Sequence, residues 1–495
     1  MTTGVAGSRD GRPLLVVAPQ VGGVGAGHFM RGLALAQAWN DRSGRAVFVT
    51  GALAAPLAEL LERESIAHVE ADGRAAVIRA VEHVALEGPI SGLVVDGYDY
   101  GTPVERALRP LAAATLAFDD GNETGAHDVD LLTDPTPGLT ATTYAAHAPG
   151  AELLLGPRYA ALRRARPDAA STSASGSSGA SGASGASGSS RRRFTLLAGG
   201  EPPTRVRAWF VAVADGLRAA GFVVGAPGLT DPRYDDLAIE TRATEVAITA
   251  GGSTTLDLCR LGVPTLVVVI ADNQAGLAAG LDAAGAVRPL GRLEAVAPED
   301  AVAAAVALAN DHDAGRRLAC RGRALVDGRG AGRLAVALRA AALRLEPARP
   351  DDARLVWEWA NDPETRAMSF ETDEIAWADH ERWFAAQRAN PDARMFIAAT
   401  AEGAPVGQVR FARDGAELVI GVSVAADQRS RGFAAPLIAA GVARARKELP
   451  RAPIVAYIRA ENERSQRAFV DAGFVRQTER VGPHESAVFF AEDDA

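Results

Sequence analysis

The chain has 495 residues, which is too many for one hydrophobic core, so two or three domains are expected. Its hydrophobic content of 48% fits a globular protein, and its net charge of −9 argues against a nucleic-acid partner. It contains no apolar run of the length that a signal peptide or a bilayer-spanning helix requires, so we expect a cytoplasmic protein. The two cysteines, Cys259 and Cys320, lack disulfide or metal-site spacing and are interpreted as small buried residues of helices.

Short apolar runs alternate with segments of helical period, which is the pattern of an α/β protein with parallel sheets. The first strand is predicted at 14–18, followed by a glycine-rich loop and a helix at 30–40. The other strands predicted for this first series lie at 46–50, 92–96 and 115–118. The strands predicted for a second series lie at 194–198, 246–250 and 265–270.

Two changes in composition divide the chain. Residues 169–190 are almost purely Ser, Gly and Ala, and three arginines follow, so 169–193 is predicted to be a linker. After Leu343, four of the six tryptophans lie in a short stretch, which indicates a new domain. The predicted domains are therefore 1–168, 194–343 and 344–495.

The first predicted strand leads into a glycine-rich loop that ends at His28. Glycines such as Gly25 and Gly27 let a backbone approach a ligand closely. His28 stands where the loop becomes a helix, and the positive end of a helix dipole disfavours an imidazolium. A neutral His28 could therefore deprotonate a water molecule. The alternative is that His28 only caps the helix or fills a crevice.

A second glycine turn, 251–254 (GGST), follows a predicted buried strand and opens a helix. Its N–H and hydroxyl groups suit a phosphate, and Asp257 could bind two hydroxyls of a ribose. The structural alternative is a Ser/Thr N-cap, with Asp257 complementing the helix dipole. Asn273 and Gln274 also stand between a strand and a helix, where ligands bind in parallel sheets.

Seven short motifs recur in an informative order: GAGHFMR at 25–31, VD at 95–96, DD at 119–120, LLLGPRY at 153–159, AGGSTT at 250–255, GVPTL at 262–266 and ADNQ at 271–274. Over about 14–343 they resemble the UDP-2,4-diacetamido-2,4,6-trideoxy-β-L-altropyranose hydrolases of pseudaminic acid biosynthesis. The resemblance implies a GT-B-like fold of two Rossmann-like halves. It also implies that His28 activates the water that attacks the anomeric carbon, so that UDP leaves. The UDP-sugar contacts that it implies are Gly25, Gly27, Arg31, Asp96, Gly251, Gly252, Ser253, Thr254, Asp257, Asn273 and Gln274.

The chain departs from that family at two places. The family usually has a tryptophan and a glutamate where this chain has Leu256 and Asp257, and Asp is one methylene shorter. The opening strand of the second half usually ends in a Phe-Gly-Gly-Ser/Thr-Asp-Pro pattern, whereas this chain has Glu201 after its two glycines. A glutamate near the substrate would change the local charge and the choice of substrate.

A third chemical site is predicted where a strand at 417–424 runs into QRSRGFA at 428–434 and then a helix at 436–444. The R-x-x-G-x-A pattern forms a backbone nest at a helix start, and its arginines add charge for a pyrophosphate. With the later Asn462, Ser465 and Gly-Phe at 473–474, the order resembles the GNAT N-acetyltransferases over about 344–490. The front of the domain resembles GNAT members that acetylate the 4-amino group of a UDP-4-amino-4,6-dideoxy sugar. The acetyl-CoA contacts that the resemblance implies are Val422, Val424, Arg429, Arg431, Gly432, Phe433, Ala434, Asn462 and Ser465.

Acetyl transfer needs a base for the amine and an acid for the CoA thiolate. Glu417, on the strand beside the thioester, is a candidate base, with a solvated strand carboxylate as the alternative interpretation. GNAT enzymes often use a tyrosine as the acid, but this chain has Phe469 at that position. Ser465 or a water could replace it, or the thiolate could leave unassisted.

The two resemblances together predict a bifunctional enzyme. It would acetylate a UDP-4-amino-4,6-dideoxy sugar from acetyl-CoA and hydrolyse the UDP-2,4-diacetamido-2,4,6-trideoxyhexose to the free sugar and UDP. A glycosyltransferase of GT-B type and a non-catalytic UDP-sugar-binding module remain alternatives for the first part. The expected partners are acetyl-CoA and the UDP-linked sugar, without nucleic acid or membrane. No metal is predicted, because no His/Asp cluster has ligand spacing.

Overall fold

A computed structural model of the chain describes residues 14–20, 26–121, 125–164, 192–199, 202–227, 241 and 243–491. Its strands form three sheets, of seven, five and seven strands. Most of the predicted linker, together with Gly25 and Glu201, lies outside the described residues.

The first sheet is wholly parallel and has the order β3-β2-β1-β4-β5-β6-β7. Its strands are Leu14–Pro19 (β1), Arg45–Thr50 (β2), Ala67–Glu70 (β3), Ile90–Asp96 (β4), Thr115–Phe118 (β5), Leu131–Asp134 (β6) and Glu152–Leu155 (β7). Its helices are Gly27–Asn40 (α1), Ala55–Arg63 (α2), Arg74–Glu87 (α3), Gly101–Leu108 (α4) and Ala141–Tyr144 (α5). β1 is buried at every position, because helices cover both faces of a parallel sheet.

The second sheet is also parallel, in the order β12-β11-β10-β8-β9. Its strands are Arg193–Leu197 (β8), Val223–Gly225 (β9), Thr244–Ala250 (β10), Thr265–Val269 (β11) and Arg288–Arg292 (β12). The helices that follow these strands are Thr204–Ala219 (α6), Thr254–Leu261 (α7), Ala275–Ala283 (α8), Pro298–Asn310 (α9) and His312–Leu325 (α10). Both units are therefore Rossmann-like α/β layers.

The next helix, Gly330–Ala341 (α11), returns to the first unit. Its apolar residues Ala331, Leu334, Ala335 and Leu338 belong to the same buried cluster as the residues of α1. The last helix of the predicted domain 194–343 is therefore part of the hydrophobic core of the first unit.

The third sheet is antiparallel except between β16 and β17, and its order is β13-β14-β15-β16-β17-β19-β18. Its strands are Arg344–Pro347 (β13), Ala393–Ala399 (β14), Pro405–Asp414 (β15), Glu417–Val424 (β16), Ile454–Ile458 (β17), Phe474–Val481 (β18) and Ala487–Ala491 (β19). Its helices are Ala353–Asn361 (α12), Pro363–Ala367 (α13), Trp377–Ala389 (α14), Ala434–Glu448 (α15) and Glu463–Asp471 (α16).

The two cysteines differ in environment. Cys259 lies in α7 and is buried, as predicted, whereas Cys320 lies in α10 and is exposed, so the prediction of burial was wrong there. The amphipathic helix α10 turns Cys320 to solvent while it buries Leu318. Among the described residues, no helix is both long and apolar enough to cross a bilayer.

Candidate functional site

The first candidate site lies where the strand order of the first sheet reverses. β1 pairs with β2 on one side and with β4 on the other, and ligands bind at such switch points, beyond the carboxyl ends of the strands. His28 follows β1 at the start of α1, and Asp96 ends β4. Residues that are 68 positions apart in sequence are thereby brought together.

His28 and Asp96 form a buried pair. Nδ1 of His28 lies 2.5 Å from Oδ1 of Asp96, and the side chains are 7% and 0% exposed. An ionised carboxylate can only accept, so Nδ1 carries the proton and Nε2 is the basic nitrogen. Nε2 forms no hydrogen bond within the part of the chain that the structure describes. Both carboxylate oxygens of Asp96, a predicted sugar contact, are thus engaged by His28 and Arg31.

Arg31 holds this pair in place. Its Nε and Nη2 atoms donate to the two oxygens of Asp96 at 2.6 and 2.7 Å, and Nη1 donates to Asp120 at 2.6 Å. Burial alone would raise the pKa of Asp96, but the charge of Arg31 and the hydrogen bonds from Arg31 and His28 outweigh it and hold the pKa well below its ordinary value. Burial would lower the pKa of Arg31, and Asp120 and Asp96 reverse the effect and raise it. Arg31, predicted as a sugar contact, thus donates to two carboxylates of the protein.

Sequence reasoning did not select Tyr98 or Asp120 as site residues. The Tyr98 hydroxyl donates to Asp120 at 2.8 Å, and its ring contacts the edge of His28 with centroids 4.8 Å apart. Burial and the nearby Asp120 raise the pKa of Tyr98, so its hydroxyl stays protonated. Both residues follow directly on strands β4 and β5, and that position at the carboxyl edge was the signal that could have found them.

The second unit faces this site with its own glycine turn. Gly251 and Gly252 follow β10, and Ser253 precedes α7, where it makes no side-chain capping bond. The first and second units meet here, because a Cβ placed on Gly27 would lie 3.8 Å from Oγ of Ser253. Thr254 is the first residue of α7, and the N–H groups of Ser253 and Thr254 donate no hydrogen bond within the described residues. The N–H groups of Gly251 and Gly252 donate instead to the carbonyl oxygens of Val268 and Ala250.

The remaining predicted UDP contacts differ in the residues that they contact. Asn273 reaches across to the first unit, where its Nδ2 donates to the Tyr98 hydroxyl at 2.6 Å. Gln274 instead stabilises its own turn at 270–274, since its Oε1 accepts from the N–H of Ile270 at 3.0 Å. Asp257 contacts Arg260 on the same helix at 3.2 Å. Gly25 lies outside the described residues.

The third unit contains a split in its sheet. β16 and β17 run parallel and pair only at Leu418–Ile454 and Val419–Val455, after which the two strands separate. Val422 and Val424, two predicted acetyl-CoA contacts, lie on β16 beyond the last pair. Unpaired strand edges beside such a split offer N–H and C=O groups to an extended ligand.

The loop after β16 has the geometry of an anion nest. Ser430 and Gly432 have positive φ values of 60° and 76°, and Arg431 lies between them with its side chain exposed. Left-handed residues that alternate with right-handed ones turn successive N–H groups towards one concavity. The N–H groups of Gly432 and Phe433 donate no hydrogen bond within the described residues. Ala434 then begins α15, whose positive end adds to the nest.

Arg429 has a different role from the one predicted. Its Nη2 donates to Asp362 at 2.5 Å and to Thr365 at 2.8 Å, and its Nη1 donates to Glu364 at 3.0 Å. The guanidinium therefore ties the loop to α13 rather than adding charge to it. Burial would raise the pKa of Asp362, but the hydrogen bonds from Arg429 and from the N–H of Thr365 hold it below the ordinary value.

The candidate acid and its replacements occupy distinct places. Phe469 is buried and packs edge-on against Phe474, with ring centroids 4.9 Å apart, so this position belongs to the core. Asn462 caps α16 by accepting from the N–H of Ser465 at 3.1 Å. Both Asn462 and Ser465 thus shape the start of α16.

Glu417 begins β16 at the paired end of the split, and its partner was not found by sequence reasoning. The hydroxyl of Tyr457, on β17 two residues past the last paired residue, donates to Oε2 of Glu417 at 3.2 Å. Both side chains lie on the sheet face opposite the core cluster of this unit. The pattern of alternation along β17 was the only sequence signal for Tyr457.

Comparison with known proteins identifies the third unit. Residues 342–475 match the family model described as the acetyltransferase (GNAT) domain. The C-terminal unit is a GNAT acetyltransferase domain. Acetyl-CoA, the predicted co-substrate, is accordingly its acetyl donor, and the chain is an enzyme.

Solved structures similar to the chain include two acetyltransferases. The spermidine N-acetyltransferase from Vibrio cholerae, in complex with CoA and spermine, is 18% identical with a TM-score of 0.28, and the match covers 30% of this chain and 94% of that one. AAC(6')-Ib, in complex with paromomycin and acetyl-CoA, is 21% identical with a TM-score of 0.27, covering 30% and 92%. No curated protein matches the chain. Among the described residues, no group of three His, Cys, Asp or Glu side chains is placed to hold a metal ion.

Proposed function

We propose that the chain is a bifunctional nucleotide-sugar enzyme. The GNAT domain acetylates the amine of a UDP-4-amino-4,6-dideoxy sugar. The two Rossmann-like units, in a GT-B-like arrangement, hydrolyse the resulting UDP-2,4-diacetamido-2,4,6-trideoxyhexose to free sugar and UDP. The observation that carries the hydrolase is the buried His28–Asp96 pair, which faces the glycine turn of the second unit.

The proposed hydrolysis begins at Nε2 of His28. This nitrogen takes a proton from water, the water oxygen bonds to the anomeric carbon, and the bond from that carbon to the UDP oxygen breaks. Asp96 keeps the proton on Nδ1 and stabilises the imidazolium that forms. A general base placed in this way contributes about 10²- to 10⁴-fold to a rate.

The leaving UDP carries negative charge that needs a partner. Across from Gly27, the start of α7 offers the N–H groups of Ser253 and Thr254 and a positive dipole end. Asn273, anchored on Tyr98, would fix the distance between the two units. This supports a nucleotide held by the second unit with its sugar turned towards His28.

In the acetyl transfer, the amine nitrogen attacks the thioester carbon and the CoA thiolate leaves. The nest at 430–434 would hold the pyrophosphate of acetyl-CoA. Glu417 would accept the amine proton, and the Tyr457 hydroxyl that donates to it would pass a proton to the thiolate. Tyr457 thus supplies the O–H that Phe469 lacks.

One arginine, Arg410, supports an acceptor that carries phosphate. Arg410 lies on the same face as Glu417, packed over Gly421 and the ring of Trp383. Within the described residues it forms no hydrogen bond or ion pair, and burial and the charge of Arg366 lower its pKa. The positive charge of Arg410 would attract the diphosphate of a nucleotide sugar, and a polyamine offers no such negative group.

The test is an end-point assay with the UDP-linked 4-amino sugar, with and without acetyl-CoA, that follows free CoA and free UDP. We expect CoA release and an acetyl-CoA-dependent release of UDP, with spermidine a poor acceptor. His28→Ala should abolish UDP release and leave CoA release unchanged. His83→Ala, at an exposed histidine of α3, is the matched control and should change neither signal.

Each module can fail separately in this assay. CoA release without UDP release from any acetylated product would refute the hydrolase. UDP release that appears only with an added sugar acceptor would instead identify a glycosyltransferase. Preference for spermidine over the nucleotide sugar would refute the proposed acceptor.

A further inference from the structure

The first sheet, its helices and α11 share one core and are called the first packing unit. Residues of this unit contact the backbone of the acetyl-CoA loop in the third unit. Arg339 of α11 donates from Nη1 to the carbonyl oxygen of Arg431 at 2.9 Å and lies 3.5 Å from that of Gly432. A Cβ placed on Gly432 would lie 2.3 Å from the carbonyl oxygen of Arg42. Gly432 is therefore required both by its positive φ and by this close approach.

Arg339 is held by the first unit on its other side. Its guanidinium lies 4.4 Å from the ring centroid of Trp39, and Nη2 contacts the carbonyl oxygen of Trp39 at 3.4 Å. Arg339 is only 3% exposed and Trp39 is fully buried. A cation stacked on an aromatic ring and bonded to carbonyl dipoles can be buried without a carboxylate.

Arg339 lacks a carboxylate partner in the described part of the chain, and its Nε is buried without a hydrogen bond. Burial and then the charge of Arg42 lower its pKa to about 10, so it remains charged at neutral pH. Arg42 has an acidic partner, Asp471, 3.6 Å from its Nη2. The unpaired positive charge directly behind the loop is therefore that of Arg339.

Because the peptide bond is planar, these contacts also fix the direction in which the N–H groups of the loop point. In a trans peptide, the C=O and the N–H lie in one plane and point in opposite directions. The carbonyl of Arg431 shares its peptide with the N–H of Gly432, and the carbonyl of Gly432 shares its peptide with the N–H of Phe433. Fixing these carbonyls on Arg339 turns the two N–H groups away from Arg339. Those are the N–H groups that make no hydrogen bond within the described residues.

We propose that Arg339 is a positioning residue for acetyl-CoA: the first packing unit, through Arg339, orients and polarises the peptides that bind the CoA pyrophosphate. The inference rests on the proposed role of the 430–434 loop. It makes CoA affinity depend on a residue outside the acetyltransferase domain. By thermodynamic linkage, CoA binding must in turn strengthen the docking of α11 on the loop.

The test measures CoA binding to the full-length chain by calorimetry. Arg339→Met removes the donors while keeping an unbranched side chain over Trp39, and we expect the Kd for CoA to rise about tenfold, within the usual range for coupled sites. The matched control is Arg333→Met on the same helix, because Nη1 of Arg333 donates to the carbonyl of Arg158 inside the first packing unit. It should change the Kd by less than about twofold.

Two further measurements separate positioning from folding. Arg339→Lys keeps the buried charge and one donor, so its Kd should lie between those of wild type and Arg339→Met. Amide hydrogen exchange of α11 should slow when CoA is added to the wild type, whereas α9, remote from the loop, should not respond. This response should be absent in Arg339→Met.

The outcomes are distinguishable. An unchanged Kd in folded Arg339→Met, or equal effects of Arg339→Met and Arg333→Met, overturns the inference and leaves the proposed function intact. If Arg339→Met does not fold, two results together overturn the inference. These are an unchanged Kd in Arg339→Lys and a hydrogen-exchange rate of wild-type α11 that does not change when CoA is added. A wild-type chain that binds no CoA overturns the proposed role of the loop and the inference with it.

Discussion

The replacement Asp96→Asn tests the chemistry of the first site most directly. Oδ1 of Asp96 accepts from His28 and from Nη2 of Arg31, and Oδ2 accepts from Nε of Arg31. An asparagine has one acceptor and one donor, so either orientation places its NH₂ group against a donor of Arg31. With the NH₂ at the Oδ1 position, it also donates to Nδ1 of His28 and forces the proton onto Nε2.

The magnitude follows from the lost charge and the wrong tautomer. In either orientation, no anion remains to stabilise the imidazolium of His28. In a His–Asp pair of this kind, the same substitution lowers kcat by about 10⁴-fold, which corresponds to roughly 5 kcal/mol of transition-state stabilisation. We expect UDP release to fall by at least about 10³-fold, with CoA release unchanged. Breaking part of a buried ion pair should also lower the free energy of unfolding by about 3 kcal/mol.

Asp120→Asn is the matched control, because it removes the other carboxylate of Arg31 and keeps the His28–Asp96 pair. It should destabilise the fold by a similar amount but slow UDP release far less than Asp96→Asn. The assay is UDP release at saturating acetylated sugar nucleotide, with unfolding in urea measured in parallel. Equal loss of activity in the two variants, or more than a tenth of wild-type activity in Asp96→Asn, would refute the orienting role.

Three further predictions test other parts of the molecule. Tyr457→Phe should lower kcat for acetyl transfer by about 10²-fold and leave the KM for acetyl-CoA unchanged; a raised KM alone would contradict the acid role. Burial would lower the pKa of His127, but Asp119 and Glu105 raise it to about 9. Its stabilising effect is thus fully present below the unfolded pKa of about 6.5 and is lost as pH rises through 9, by about 3 kcal/mol in urea titrations. His127→Gln should lack this pH dependence. A thiol reagent should label Cys320 and spare Cys259, which is buried with its pKa raised by burial to about 12, and labelling of both in the native state would contradict the fold.

Strands were the most predictable feature, because each is a short apolar run between polar turns. The predicted strands at 115–118 and 417–424 coincide with β5 and β16. Helix starts were less predictable, and α1 begins at Gly27 rather than at residue 30, because a glycine gives no helical signal. The return of α11 to the first unit was not predictable, since its apolar face would suit either unit.

At the sites, sequence placed residues at the correct edges of the sheets but not their partners. Asp96 was expected to contact sugar, and the side chain is instead occupied by His28 and Arg31. That pairing depends on β1 lying beside β4, which no local pattern specifies. Arg429 was likewise expected to contribute charge to the loop, and its ion pairs with α13 are set by tertiary packing.

The contact through Arg339 bears on why the modules share one chain. The buried guanidinium is held from two sides, by Trp39 within the first packing unit and by the carbonyls of the acetyl-CoA loop. Without the loop, Arg339 would regain water, and the loop carbonyls would lose a charged donor that fixes their direction. The covalent link at 342–344 raises the effective concentration of the two surfaces, so a small interface can stay formed. The acetyltransferase loop is thus completed by the module that is proposed to consume its product, which ties the geometry of the first reaction to the folded state of the second enzyme.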